Sequence, residues 1–299
     1  MRRTPFALAV IVALTLAACG GDDDDDDAAS STTAPDDSVT DVSLVPVTTV
    51  PSSAPPTASV PDVSIPDAVP TELAITTLTP GSGPEAAEGD TVYVNYVGVR
   101  SEDGQEFDNN FGGDPLPVTL GSGGVIPGWE EGLVGSTAGE RRQLDIPNDL
   151  AYGDTPRGDV IQAGDALTFV IDVLAVVPPT DPADAPVTTE LPLSSELLEE
   201  STVEDLRVGD GATLEAGDTG IFHLVAARVD DGTELQSTWT GPPQAVAVVE
   251  GSGLIDELTT GLPGMQVGGR RLIRVPFNAD SGLTPETDLY LVVDLVAVL

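Results

Sequence analysis

The chain has 299 residues and 40% hydrophobic side chains, enough for two domains that each bury a core. Its 50 acidic and 11 basic residues give a net charge of −39, which makes nucleic acid a poor partner and excludes charge attraction to anionic headgroups. The single cysteine excludes a disulfide within the chain.

The amino-terminal residues are typical of a bacterial export signal. Arg2 and Arg3 precede an apolar run from Phe6 to Leu16, which is too short for a comfortable membrane-spanning helix. The sequence LAAC that ends at Cys19 resembles the lipobox of bacterial lipoproteins, and lipidation is the use that this position suggests. We therefore expect removal of residues 1–18 and an acylated Cys19 that anchors the mature chain to the lipid membrane of the cell, on the extracytoplasmic side. The alternative is an uncleaved anchor with an incidental cysteine.

Residues 19–70 are predicted to form a disordered acidic tether. Six aspartates, Asp22 to Asp27, precede a segment rich in Ser, Thr, Pro and Val that has no helical or strand periodicity. Because the aspartates lack the alternating spacing and the glycine of a calcium loop, the pattern favours a solvated spacer over a calcium site. A Pro/Thr/Glu-rich stretch at 179–200 predicts a second linker.

The two regions outside these linkers resemble each other in sequence. Three blocks of the first region recur in the same order in the second, at offsets of 128, 129 and 122 residues. The paired blocks are 78–107 with 206–235, 128–147 with 257–276, and 167–177 with 289–299. This order predicts a duplicated domain of about 100 residues, at 71–178 and again at 201–299.

The pattern within each copy is rich in β-strands. Hydrophobic residues alternate in three segments of the first copy, and the predicted inward positions are Val92, Val94 and Tyr96, then Leu144 and Ile146, then Phe169, Ile171 and Val173. The sequences EDGQ and DDGT are typical of turns between strands.

One short helix is predicted from Gly128 to about Ser136, with Trp129 and Leu133 on one face. Gly132 and Gly135 each weaken it by about 1 kcal/mol relative to alanine. We therefore expect the burial of Trp129 against a sheet to hold the helix in place.

Several separated motifs of the first copy carry a family resemblance. They are TPGSG, VNYVG, DGQEFD, LGSGGVIPGWEEGL, GERRQLDIP and AYG, in this order, between about Thr71 and Val177. The set closely resembles the FKBP-type peptidyl-prolyl cis-trans isomerases. The resemblance implies an α+β fold of two tandem domains, each a five- or six-stranded antiparallel sheet wrapped around one short helix.

The resemblance also implies a substrate pocket in the first copy. The implied catalytic residues are Tyr96, Phe107, Asp108, Ile126, Trp129 and Tyr152, and the implied substrate-binding residues are Leu116, Val125, Ile161, Phe169 and Ile171. Trp129 would form the floor, and the far wall would be Phe169 or Ile171. The Ile126 N–H and the Tyr152 hydroxyl would meet substrate carbonyls. The sequence departs from the family at Leu116, where a pocket Phe is expected, and it lacks an Arg after FDNN to pair with Asp108.

The implied chemistry is rotation about X-Pro peptide bonds, which faces a barrier of about 18–20 kcal/mol. Twisting removes amide resonance and lowers the dipole moment, so an apolar cleft with little water accommodates the twisted state relatively well. We expect no metal, no cofactor and no covalent intermediate. The expected partners are proline-containing unfolded or exported polypeptides.

The second copy keeps the core positions and loses the pocket. At the repeat offsets, five pocket positions hold Leu224, Leu235, Gln236, Leu258 and Ser281. We therefore expect a degenerate domain that folds without isomerase activity, with client holding or docking as a hypothesis. His223 is expected to have a surface or packing role, and Trp239 lies in a loop without an assigned role.

Two functions of other classes stay open. One is a non-catalytic chaperone or peptide-binding scaffold anchored to the membrane, in which the cleft only holds peptide segments. The other is a structural envelope protein in which the acidic tether matters most. Acceleration of X-Pro isomerisation by the chain would exclude the first, and full function after Trp129→Leu would indicate the second.

Overall fold

The computed structural model describes residues 59–250, 252, 254–277 and 286–299. Within them the chain forms two six-stranded antiparallel sheets, each packed against one short α-helix, which confirms the predicted α+β architecture. The predicted signal segment, the lipidation site Cys19, the tether up to residue 58 and the pocket-equivalent Ser281 lie outside the described residues. No helix in the described part of the chain is both long and apolar enough to span a bilayer.

The two halves use the same elements in the same order. The first contains β1 (Ala74–Thr79), β2 (Thr91–Arg100), β3 (Glu106–Asn109), β4 (Leu116–Thr119), α1 (Pro127–Leu133), β5 (Arg141–Ile146) and β6 (Leu167–Val177). The second contains β7 (Thr202–Arg207), β8 (Thr219–Arg228), β9 (Glu234–Ser237), β10 (Gln244–Ala247), α2 (Asp256–Gly261), β11 (Arg270–Val275) and β12 (Leu289–Val298).

The strand neighbours match between the halves, which confirms the duplication. The first sheet has the order β1-β5-β6-β2-β3, with β4 also paired to β2. The second has the order β7-β11-β12-β8-β10, with β9 also paired to β8. The elements fall within the predicted domains 71–178 and 201–299, whose limits stay predictions.

Alternation along the strands places one face of the first sheet against α1. The inward positions predicted from the sequence all belong to one core cluster, together with Trp129 and Leu133 of the helix. The helix is shorter than predicted, because it ends at Leu133 and not near Ser136. Val134 is extended, with ψ 136°, and Gly135 has φ +76°, a conformation that terminates the helix without strain only at glycine.

Glycine allows α1 to lie unusually close to the sheet. A Cβ atom on Gly128 would stand 2.4 Å from Cγ2 of Ile146, and one on Gly132 would stand 2.6 Å from Cδ1 of Leu144. Close packing therefore requires glycine at these two positions, and glycine has a low helix propensity. The helix compensates for it by burying Trp129 and Leu133.

A buried arginine satisfies the carboxyl end of each helix from the neighbouring strand. Arg142 of β5 donates from Nη1 to the carbonyl oxygens of Gly132 at 2.6 Å and Val134 at 3.2 Å. Arg271 of β11 donates in the same way to Gly261 at 2.7 Å. Since the last turns of both helices contain no basic residue, these guanidinium groups bind carbonyls that the helices themselves leave unpaired.

The predicted linker 179–200 packs on the second sheet, on the face opposite α2. Tyr290 Oη donates to the Pro192 carbonyl at 2.5 Å, and Arg270 Nη2 donates to the Asp184 carbonyl at 2.5 Å. Ala185 and Leu191 join the apolar cluster on this face. The segment is therefore fixed to the second domain by its backbone carbonyls and by apolar contacts.

His223 and Trp239 also belong to this face. The two rings stack with their centroids 4.2 Å apart, and His223 Nε2 lies 2.7 Å from Oγ1 of Thr180 in the linker. Because His223 is fully buried, its pKa falls to about 4. Of the surface and packing roles predicted for His223, the structure shows packing. Trp239, which the sequence left unassigned, covers the histidine.

The two domains contact each other through a small apolar cluster. Tyr93 of β2 and Val177 of β6 pack with Ile221 of β8 and residues at the end of β12. The buried hydroxyl of Tyr93 donates to the carbonyl of Pro243. Burial alone raises the pKa of this hydroxyl, so it remains a donor.

Candidate active site

Four aromatic rings from four elements meet at the amino end of α1. Trp129 lies edge-to-face with Tyr96, with centroids 5.0 Å apart, and with Phe169, with centroids 5.2 Å apart. Phe107 lies edge-to-face with Phe169 at 5.6 Å. Edge-to-face pairs place positive ring edges against negative ring faces, so the group is mutually stabilising. We call Tyr96, Phe107, Trp129 and Phe169 the aromatic cradle.

The cradle depends on a glycine that the sequence analysis did not single out. A Cβ atom on Gly98 would stand 2.7 Å from Cζ of Phe107 and 2.7 Å from Cε1 of Phe169. Gly98 lies two residues after Tyr96 on the same strand and therefore on the same face. The motif VNYVG contained the signal, because a glycine at an inward strand position often marks a close approach.

The structure brings every predicted apolar pocket residue into one cluster. Trp129, Ile161, Phe169 and Ile171 are buried, with at most 4% of each exposed. The partly exposed members around them are Tyr96, Phe107, Leu116, Val125, Ile126 and Tyr152. Of the two residues predicted for the far wall, Phe169 makes the ring contacts of the cradle, and Ile171 is fully buried in the core.

Asp108 is bound by a tyrosine of the cradle. The Tyr96 hydroxyl donates to Oδ2 of Asp108 at 2.6 Å, and no cation among the described residues pairs with this carboxylate. Burial, the hydrogen bond to Asp108 and the Asp108 charge together raise the pKa of Tyr96. Tyr96 therefore stays protonated and holds the exposed carboxylate beside the cradle.

Ile126 offers a backbone donor at the start of α1. Ile126 is the N-cap, and its carbonyl accepts from the N–H of Trp129 at 2.9 Å. Among the described residues, no backbone hydrogen bond uses the Ile126 N–H itself. An N–H in this position can bind a substrate carbonyl.

Glu130 positions the loop that leads to Ile126, a role that the sequence did not reveal. Its two carboxylate oxygens accept from the N–H groups of Gly121 at 2.6 Å and Gly123 at 2.9 Å. Gly121 and Gly123 both have positive φ, which fixes a tight loop before Val125. Glu130 thus links this loop to the helix that contains Trp129.

Tyr152 lies on a separate loop after a 3₁₀ turn at Asn148–Leu150. The loop closes on itself because the backbones of Arg157 and Ile161 exchange hydrogen bonds of 3.0 and 3.2 Å. The Arg157 guanidinium lies 5.2 Å from the centroid of the Tyr152 ring, a cation–π contact that orients the ring. Ile161 packs into the core cluster and anchors the loop beside the cradle.

Comparison with known proteins decides the family. The sequence profile of FKBP-type peptidyl-prolyl cis-trans isomerase matches residues 83–174 and 211–289, one match in each half. The chain belongs to this family.

Two relatives with similar sequences agree with this assignment. An FK506-binding protein of Streptomyces anulatus is 48% identical over 109 residues, which are 36% of this chain and 88% of the relative. A peptidyl-prolyl cis-trans isomerase FKBP10 of Bos taurus is 35% identical over 207 residues, 69% of this chain, and this match spans about a third (32%) of the relative. The crystal structure of FkpA from Escherichia coli aligns at 39% identity with a TM-score of 0.33, over 36% of this chain and 49% of that one.

Membership confirms the predicted class of enzyme, FKBP-type peptidyl-prolyl cis-trans isomerase. In the second FKBP repeat, Leu224 and Leu258 are buried at the positions of Tyr96 and Trp129. Leu235, at the position of Phe107, is 39% exposed. The second repeat therefore has the family fold with different side chains at these positions of the cradle.

Proposed function

We propose that the first FKBP repeat catalyses X-Pro isomerisation at the aromatic cradle. The arrangement of Tyr96, Phe107, Trp129 and Phe169 carries the proposal, because it gathers scarce aromatic residues from four elements at one position. The roles given to the predicted pocket residues are part of the proposal.

In this mechanism the proline ring packs against the cradle, beside Trp129. The planar ground state has the larger dipole moment and is solvated well by water, so transfer to an apolar cleft favours the twisted state. The Ile126 N–H and the Tyr152 hydroxyl bind carbonyls next to the rotating bond and hold the two sides of the peptide in different orientations. Asp108, held by Tyr96, supplies a fixed negative charge near the twisting amide.

The substrates proposed are unfolded, exported polypeptides that contain proline. Uncatalysed isomerisation takes tens to hundreds of seconds, so it limits the folding of such chains. The proposal includes export and lipid anchoring through Cys19, which rest on the basic start, the apolar run and the LAAC sequence. Cys19→Ser is expected to abolish the incorporation of labelled palmitate and to release the chain from membrane fractions.

The chain offers a matched test of the cradle, because its two tryptophans are both buried and both have an indole N–H without a hydrogen-bond partner in the described structure. Trp129→Leu introduces the residue that the second repeat has at this position, Leu258, so the fold should tolerate it. In a protease-coupled assay on a short X-Pro peptide, Trp129→Leu should lower kcat/KM at least tenfold, about 1.4 kcal/mol of transition-state stabilisation. Trp239→Leu should leave kcat/KM within twofold of the parent.

Smaller substitutions test the polar roles. Asp108→Ala and Tyr152→Phe should each lower kcat/KM while near-ultraviolet circular dichroism stays unchanged. If the chain gives no acceleration, or if neither variant changes it, the proposal fails and the non-catalytic chaperone becomes the better interpretation. Suppression of the aggregation of an unfolded protein without any isomerase activity would support that alternative directly.

A further inference from the structure

The second repeat contains an apolar cavity at the positions that Tyr96 and Trp129 occupy in the first repeat. Its volume is about 40 Å³, and its lining includes Phe222, Leu224, Val246, Leu254, Leu258 and Val293. Thr238 and Gln244 are the polar residues of the lining, and none of the residues that line it is charged.

Part of the cavity lining corresponds to predicted site positions of the first repeat. Leu224 and Leu258 stand where the first repeat has Tyr96 and Trp129, and Leu254 stands where it has Val125. The backbone geometry is the same as well. The N–H of Leu224 donates to Oγ1 of Thr238 at 2.9 Å, and the N–H of Tyr96 donates to Oδ1 of Asn110 at 2.7 Å.

The size and polarity of the cavity define the group that fits. A volume of 40 Å³ is about three times what one water molecule needs, which suits one short aliphatic side chain or a proline ring. A stable buried water needs two to four polar partners, and this lining is almost entirely hydrocarbon. An apolar group can therefore enter without displacing well-bound water.

The charge around the cavity further limits which polypeptide segments can bind there. Helix α2 begins with Asp256 and Glu257 beside the cavity and has no basic residue in its last turn. The whole chain has a net charge of −39. An acidic segment would be repelled, a basic one would be attracted, and a neutral one would be neither attracted nor repelled.

We propose that this cavity binds a valine or proline side chain of a neutral or basic unfolded polypeptide. It has no equivalent of Asp108 or of the tyrosine hydroxyl of Tyr96, so it holds the chain without catalysing rotation. The contacts of Tyr93 with the second domain keep the two repeats together. The cavity therefore keeps a bound polypeptide near the first repeat. This role rests on the proposed function of the first repeat, but the binding of the polypeptide to the cavity does not.

The test uses the full chain labelled at its Leu and Val methyl groups and observed by NMR. The probe is the peptide acetyl-Gly-Val-Pro-Gly-amide, with acetyl-Gly-Ser-Gly-Gly-amide as its control. The Val-Pro peptide should shift the methyl signals of Leu258, Leu262 and Val293, and the control peptide should not. If the Val-Pro peptide shifts only methyl groups of the first repeat, such as those of Val125, the inference is wrong.

A matched pair of variants localises the binding. Leu254→Asp places a charge in the half-buried lining, and Val249→Asp places the same charge at a residue that is 39% exposed and outside the lining. Leu254→Asp should weaken peptide binding at the second repeat at least tenfold, and Val249→Asp should change it less than twofold. Equal effects of the two variants would overturn the inference.

Activity measurements separate this inference from the proposed function. Leu254→Asp should leave kcat/KM on a short X-Pro peptide unchanged and raise KM for an unfolded protein at least threefold with kcat unchanged. If the parent chain has no isomerase activity but the Val-Pro peptide still shifts the cavity methyl signals, only the proposed function is wrong. If the cavity methyl signals shift on dilution without peptide, a second copy of the chain is the occupant. If they shift on deletion of residues 19–58 without peptide, the chain's own segment is the occupant. Either result would overturn the inference.

Discussion

For Gly128→Ala, the structure and helix propensity predict opposite changes in the stability of the fold. Propensity alone predicts stabilisation by up to about 1 kcal/mol, because alanine is the better helix former. The structure predicts a loss. The new Cβ would stand 2.4 Å from Cγ2 of Ile146 and within 3.0 Å of two more atoms of the same side chain. Cγ2 belongs to a β-branched side chain that is fully buried, so it has little freedom to move away.

The magnitude follows from overpacking. Extra methyl groups in a packed core cost about 1–3 kcal/mol, so the net effect of Gly128→Ala is a destabilisation of up to about 2 kcal/mol after the propensity gain of up to about 1 kcal/mol. Since α1 contains Trp129, relief of the contact moves the helix away from β5 and displaces the indole in the cradle. We therefore also expect kcat/KM on an X-Pro peptide to fall severalfold.

Urea unfolding followed by tryptophan fluorescence measures this loss, in a Trp239→Phe background so that only Trp129 reports. Gly241→Ala is the matched control, because a Cβ there meets nothing within 4 Å, and it should change stability by less than about 0.5 kcal/mol. The decisive comparison is a double-mutant cycle with Ile146→Ala, which removes the colliding atoms. If Gly128→Ala costs as much with Ile146→Ala as without it, the close approach of helix and strand is not the cause.

One further prediction concerns the second domain, and another concerns the contact between the two domains. Burial lowers the pKa of His223 from 6.5 to about 4, so between these pH values the unfolded chain binds more protons than the folded chain. The contribution of this group to stability, about 3 kcal/mol, is therefore present above pH 6.5 and lost as the pH falls to 4. In urea titrations, His223→Gln should remove that part of the pH dependence, and an unchanged profile would contradict the burial argument. Tyr93→Phe should leave the Pro243 carbonyl without its buried donor, lower the free energy of unfolding by about 1–2 kcal/mol and separate the unfolding transitions of the two domains in calorimetry. A single unshifted transition would show that this contact does not couple them.

Periodicity was sufficient to predict much of the fold. Alternation of apolar residues located Val92, Val94, Leu144 and Ile146 on the helix-facing side, because a strand with one buried face must alternate. The repeat offsets predicted two copies of one topology. The helix end was predicted too late, because nothing local signals that Val134 turns extended before Gly135.

The family resemblance named the candidate residues of the site but not the groups that position them. It implied Tyr96, Phe107 and Trp129 and left the far wall open between Phe169 and Ile171, and the supporting groups act over distances that periodicity does not encode. Gly98 matters because two rings lie over it, and Glu130 matters because two loop N–H groups point at its carboxylate. The packing of the linker on Arg270 and Tyr290, and of Trp239 on His223, was missed for the same reason, because these contacts exist only once the sheet has formed.

The duplication separates what the fold needs from what the chemistry needs. Both repeats retain the buried arginine that binds the end of the helix, Arg142 and Arg271, and both place a glycine against the sheet, Gly132 and Gly261. These features can be assigned to folding, because they persist where the aromatic cradle does not. Trp129 belongs to the other group, because Leu258 fills its position in a helix of the same kind on a sheet of the same order. The fold therefore does not require tryptophan at this position, and this supports the proposal that the reaction takes place beside Trp129.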